Sequence, residues 1–101
     1  MGEISWTAEA ERWLRDIHDY IAADKPGAAL RVIRGIYAKV QLLRQFPELG
    51  YRYEQSTEPN VRILLYGHYR IAYRLRRGGN IDILGVFHAA LDMDRYLFPQ
   101  D

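Results

Sequence analysis

The sequence predicts an α+β fold in which a short N-terminal strand is followed by a helical hairpin packed on a curved, mostly antiparallel sheet, in the order β-α-α-β-β-β. Three observations predict it. Apolar residues recur at helical spacing from Ala10 to Ile21 and again from Leu30 to Val40. Asp24-Lys25-Pro26-Gly27 breaks the helical pattern between them. Three β-rich runs then lie between Val61 and Asp92, joined by Gly67-His68 and by Gly78-Gly79-Asn80. With 101 residues, 49% of them apolar, and neither linker nor repeat, the chain reads as one domain, 1–101, with one core.

Glu3-Ile4-Ser5-Trp6 has the alternation of a short strand. Thr7 is placed to cap the first helix, and Glu9 and Glu11 follow where the helix dipole favours carboxylates. Ala10, Trp13, Leu14, Ile17 and Ile21 form one buried stripe. Pro26 suits the first turn of the second helix, which runs from about Pro26 to Gln45 and is expected to bury Leu30, Ile33, Tyr37 and Val40. Gly35 in its middle costs about 1 kcal/mol against alanine, which points to close approach of a neighbouring element.

Phe46-Pro47-Glu48-Leu49-Gly50 ends the hairpin, and a polar loop through Asn60 follows, carrying Tyr51, Arg52 and Tyr53. Alternation sorts the middle strand into Tyr69, Ile71, Tyr73 and Leu75 on a core face and Arg70, Ala72, Arg74 and Arg76 on the other. In the last strand Ile81, Ile83 and Phe87 oppose Asp82, Leu84, Val86 and His88; both sets are largely apolar, as in a central strand. Asp92 to Leu97 fits a final helical turn.

Net charge is only +1, from 14 basic and 13 acidic residues, which excludes a general polycationic coat for nucleic acid. Its distribution is uneven. Arg62, Arg70, Arg74, Arg76 and Arg77 give the segment from Arg62 to Ile81 a charge of +5 with no acid. The chain has no cysteine, so neither a disulfide framework nor a thiolate metal site is expected. His18, His68 and His88 lack ligand spacing, and no phosphate-binding loop or nucleophile elbow is present. No metal and no cofactor is therefore expected. No segment approaches the ~18 apolar residues of a membrane span, and no signal sequence opens the chain, so a cytoplasmic protein without a membrane partner is expected.

Six short motifs occur in one order: Trp6-Thr7 after a strand, the break Asp24-Lys25-Pro26, the turn Phe46 to Gly50, Val61-Arg62, Tyr69-Arg70-Ile71-Ala72-Tyr73, and His88 to Asp92. Together they span nearly the whole chain, which resembles the RelE/ParE superfamily of bacterial toxin–antitoxin toxins, closer to the ParE branch. That resemblance implies a RelE/ParE-like fold and a toxin of the plasmid-stabilization type. In the ParE branch it implies inhibition of DNA gyrase by binding, with neutralisation by a cognate antitoxin in a toxin–antitoxin hetero-oligomer. The exposed Arg and Tyr residues nominated for partner binding are Tyr51, Arg52, Tyr53, Arg62, Arg70, Arg74, Arg76, Arg95 and Tyr96.

Two other readings stay open. A RelE-like ribosome-dependent mRNA endonuclease needs a base, an acid and cations around the scissile phosphate, and Arg62, Arg70 and His88 are the candidates, with ribosome and mRNA as partners. Arg70 and His88 match positions used by one nuclease group. The tyrosine that follows the histidine there is Ala89 here, and the lysines used by other members are missing, since lysine occurs only at Lys25 and Lys39. The third reading is an inactive module that retains only antitoxin binding.

Overall fold

The computed structural model describes residues 2–89 together with Met93 and Leu97. Its elements are β1 (Ile4–Trp6), α1 (Ala8–Ala22), α2 (Pro26–Gln41), β2 (Tyr51–Arg52), β3 (Val61–Tyr66), β4 (Tyr69–Leu75) and β5 (Ile81–His88). The expected fold class holds, with one addition: the loop after the hairpin contains the two-residue strand β2, so the sheet has five strands in the order β1-β5-β4-β3-β2. All neighbours are antiparallel except β1 and β5, which run parallel with Ile4 opposite Ile81.

Thr7 starts α1 as its sequence context predicts. Its hydroxyl oxygen accepts from the Ala10 N–H at 3.0 Å and its own O–H donates to the Ile83 carbonyl at 2.9 Å, so one residue caps the helix and fastens it to β5. Residues Leu42–Arg44 extend α2 as a 3-10 turn. Gly35 is required by contact: a Cβ there would lie 1.8 Å from the Tyr66 hydroxyl, so the bare helix backbone receives the ring of β3. Gly78 and Gly79 take φ of 78° and 84°, the left-handed region that closes the β4–β5 connection without a side-chain penalty.

Two apolar clusters sandwich the sheet. The helix-side cluster joins Ala10, Leu14, Ile36, Val40 and Leu43 to Leu64, Ile71, Tyr73, Ile81, Ile83 and Val86. On the outer face Ile63, Ala72 and Phe87 pack with Met93, which is helical and 4% exposed, and with partly buried Leu97. The predicted final turn therefore has helical residues that cover part of the outer face; the rest of 90–101 lies outside the described residues.

Two expectations are corrected. Leu30 and Tyr37 are 46% and 41% exposed, and α2 buries Ala29 and Ile36 in their place beside Val40, which is buried as expected. The helix is apolar over so much of its circumference that periodicity admits more than one stripe, and the buried one runs through Ala29, Ile36 and Val40. In β5, Ala72 pairs with Gly85 while Tyr73 pairs with Ile83, which leaves Leu84 without an opposite residue. This bulge shifts the alternation by one, so Val86 joins Ile81 and Ile83 on the helix side and Phe87 turns outward.

Candidate functional site

The nominated arginines divide by sheet face and by pairing. Arg62 stands opposite Tyr73 and shares the helix-side face with Leu64 and Tyr66. Its guanidinium donates to the carbonyls of Gly50 at 2.7 Å and Glu48 at 3.2 Å, with the Glu48 carboxylate 3.5 Å away. Tyr73 completes this junction: its phenol donates to the Pro47 carbonyl at 2.7 Å and accepts from the Gly50 N–H at 3.0 Å. Burial is the largest influence on the Tyr73 phenol and pushes its pKa up, against lowering by the Gly50 hydrogen bond and by Arg62. Phe46 to Gly50 is thus clamped to the sheet by two side chains that the sequence presents only as a strand arginine and a core tyrosine.

On the outer face Arg74 pairs with Glu58 at 2.8 Å and with Asp82 at 3.4 Å, and Arg76 pairs with the same Asp82 oxygen at 3.4 Å. The Glu58 hydrogen bond, first, and Asp82 hold Arg74 above the ordinary arginine value. Asp82 is 9% exposed, so this is a partly buried network rather than a solvated surface pair. The charge of +5 counted along the segment is correspondingly reduced in space, because Glu48, Glu58 and Asp82 converge on it from sequence-distant or neighbouring strand positions.

Arg70 differs. It pairs in register with Leu65 and Phe87, on the outer face, and has no hydrogen bond or ion pair among the described residues. Tyr51, opposite Ile63, and Tyr53, packed against the Ile63 and Phe87 cluster, lie on that same face, and Tyr51 is 48% exposed. Arg52 is opposite Arg62 and so faces the helix side. The structure therefore brings Tyr51, Tyr53, Arg70, Arg74 and Arg76 to one face and separates Arg52 and Arg62 from them. Arg95 and Tyr96 lie outside the described residues.

The three residues of the nuclease reading are not brought together. His88 is opposite Tyr69 and Arg62 is opposite Tyr73, four positions apart along β4, or ~13 Å at about 3.3 Å per residue. Arg70 projects from the other face of the sheet. His88 instead has ring neighbours: His68 stacks at 6.2 Å between centroids, and Tyr69 meets it edge-on at 5.7 Å.

Charge that sequence reasoning passed over lies on α2 and at its two ends. Lys25, Arg31, Arg34, Lys39 and Arg44 occur with no acid between Asp24 and Glu48, and none of the five has an ion pair among the described residues. Arg31 and Arg34 are exposed beside Leu30 and Tyr37. The acid-free run was a legible signal; what hid its importance was the denser cluster on the strands, of which the fold pairs Arg62, Arg74 and Arg76 with acids. No group of three or more metal-ligating side chains occurs among the described residues, and no helix there is long and apolar enough to cross a membrane.

A helical hairpin lies on a mostly antiparallel sheet, with the first strand parallel to the last. One chain of the chromosomal ParDE toxin–antitoxin system from P. aeruginosa superposes with a TM-score of 0.73 at 27% identity, covering 87% of this chain and 96% of that one. A chain of the toxin–antitoxin complex RelBE2 from Mycobacterium tuberculosis shares the fold, with a TM-score of 0.59 at 20% identity over 86% and 96% of the two chains. A protein of Sinorhizobium fredii (strain NBRC 101917 / NGR234) named "Putative toxin Y4kP" is 37% identical over 86 residues, 85% of this chain and 86% of the relative. The model of the ParE toxin of type II toxin-antitoxin system, parDE, matches residues 4–93. The chain belongs to the ParE family of type II toxins.

Proposed function

We propose that this protein is a cytoplasmic toxin that inhibits DNA gyrase by binding it, without chemistry of its own, and is held inactive by a cognate antitoxin. The observation that carries the binding mechanism is the dispersal of the catalytic candidates: Arg62 is committed to the Gly50 carbonyl, Arg70 leaves the opposite face, and His88 is ~13 Å along the strands from Arg62. General acid–base catalysis needs its groups within hydrogen-bond reach of one substrate. Membership of the ParE family supports gyrase as the target.

The decisive experiment adds purified toxin to a gyrase supercoiling reaction and, separately, to a translation reaction. Inhibited supercoiling with intact mRNA is expected; site-specific mRNA cleavage with untouched supercoiling transfers the assignment to the nuclease. Inactivity in both, with antitoxin binding retained, supports the inert module.

For the antitoxin, the unpaired cations supply the electrostatic handle: Arg31 and Arg34 on α2, and Arg70 on the outer face. An acidic segment passing over them gains charge complementarity, and association then slows as salt rises. Reversal at Arg34 is expected to slow association more than reversal at Arg74, whose charge Glu58 and Asp82 already meet.

A further inference from the structure

Beside the C-terminal end of β5 and the start of β4 runs a groove of about 550 Å³, inside the range of ~300–1,000 Å³ typical of ligand sites. Trp13, Ile17 and Tyr20 form one wall from a single face of α1, and Tyr69, Val86 and His88 form the other. The groove exists because β1 pairs only with Ile81 to Ile83, so the outer edge of β5 beyond Ile83 has no strand beside it among the described residues. Trp13 fills part of that gap and meets Phe87 edge-on at 4.7 Å. Tyr20 is 85% exposed, a large aromatic ring left standing at the rim.

The chemistry of this lining is one-sided. Three of its residues, Trp13, Tyr20 and Tyr69, carry aromatic faces, which attract cations through the ring quadrupole. Among the described lining residues the one carboxylate is Asp16, which lies between Trp13 and Tyr20 on the same helical face and has no ion pair there. Arg12, one turn earlier, is taken by Glu9, and no lysine or arginine lines the groove among the described residues. Burial also raises the pKa of the Tyr69 phenol, as expected of a poorly hydrated wall. An apolar occupant gains nothing from Asp16, which is exposed and stays hydrated, and an anionic one meets it as a like charge. A cation on an apolar stem satisfies both walls and carboxylate.

We propose that this groove is a docking site for an arginine or lysine side chain of a partner protein, held by the aromatic faces of Trp13, Tyr20 and Tyr69 with Asp16 as its counter-ion. It is separate from the basic surface of α2 and opposite to it in sign, and it is independent of whether the toxin's target is gyrase. A partner that presents acidic groups to α2 and one basic side chain here is read in a single orientation, because reversing it sets like charges together.

The test uses the full chain labelled for NMR and two probes, Nα-acetyl-arginine N-methylamide and the matching citrulline amide, which keeps the shape and loses the charge. Saturable shifts centred on the Trp13 indole and on the Tyr20, Tyr69 and His88 rings are expected with the arginine probe, and binding about threefold to tenfold weaker with citrulline. Asp16→Asn and Tyr20→Ala each weaken the arginine probe by a similar factor, and both positions are exposed, so unchanged thermal melting is expected. Equal binding of the two probes, insensitivity to Asp16→Asn, or no saturable shift at the solubility limit overturns the proposal. Equal binding at Trp13 identifies an apolar side-chain groove instead.

Discussion

Replacing Arg62 or Arg70 by alanine separates structural from effector arginine. Arg62 is 18% exposed in its side chain and donates to two carbonyls, Gly50 at 2.7 Å and Glu48 at 3.2 Å. Hydrogen bonds from a charged donor contribute ~1.5–3 kcal/mol each, and acceptors stranded in a part-buried setting add a desolvation cost. The longer bond and the 3.5 Å pair with exposed Glu48 count for little, so a loss of ~2–3 kcal/mol is expected. For a domain of this size that lowers Tm by roughly 8–20 °C. Arg70→Ala removes no hydrogen bond or ion pair among the described residues, and its cost is expected below ~0.5 kcal/mol. Urea unfolding of both variants is measured beside growth arrest and gyrase supercoiling, at equal folded protein. The expected pattern is that Arg62→Ala loses stability while its folded fraction stays active, and Arg70→Ala melts normally but loses inhibition. Arg62→Ala with unchanged stability and lost inhibition would refute the structural assignment, and a fully inhibitory Arg70→Ala would refute the outer face as the effector surface.

Tyr73→Phe strands the Gly50 N–H and the Pro47 carbonyl and is expected to cost ~1–3 kcal/mol in urea unfolding. Because burial raises the folded-state pKa of this phenol above the ordinary tyrosine value of about 10, its contribution to stability is complete below that value and is lost as pH rises through the folded pKa; stability curves above pH 10 should therefore fall less steeply in the variant. Gly35→Ala places a methyl against the Tyr66 ring, and an overpacking cost of ~1–3 kcal/mol is expected to outweigh the ~1 kcal/mol gain in helix propensity, with Tyr66→Leu restoring stability in the double variant. His88→Gln is expected to leave growth arrest within a few-fold at equal soluble protein, since a general acid or base contributes ~10²–10⁴-fold; a larger loss in a variant with unchanged melting points to chemistry at His88.

Several features were decided by residues near one another in the chain, and these were legible without a structure. Thr7 caps α1 because a hydroxyl three residues before Ala10 reaches its N–H, a relation set by helix geometry. The alternation of Tyr69, Ile71, Tyr73 and Leu75 against Arg70, Ala72 and Arg74 follows from the strand repeat. Gly35 announced a close neighbour through its helix penalty, although not that the neighbour is Tyr66. The ordered motifs from Trp6-Thr7 to His88 carried the family itself.

What the tertiary structure alone decided depends on pairings between distant segments. The bulge at Leu84 is set by the match of β5 to β4, and one unpaired residue there reverses the faces of Val86 and Phe87, which local alternation cannot foresee. The placement of β1 beside β5 opens the edge where the aromatic groove lies. Charge is the clearest case: along the chain Arg62, Arg74 and Arg76 form a cationic cluster, yet in space Glu48, Glu58 and Asp82 meet them, while Arg70, Arg77 and the cations of α2 are among those that have no ion pair among the described residues. Electrostatic interaction depends on distance through space, and sequence separation does not report that distance once a sheet brings remote strands and loops within a few ångströms.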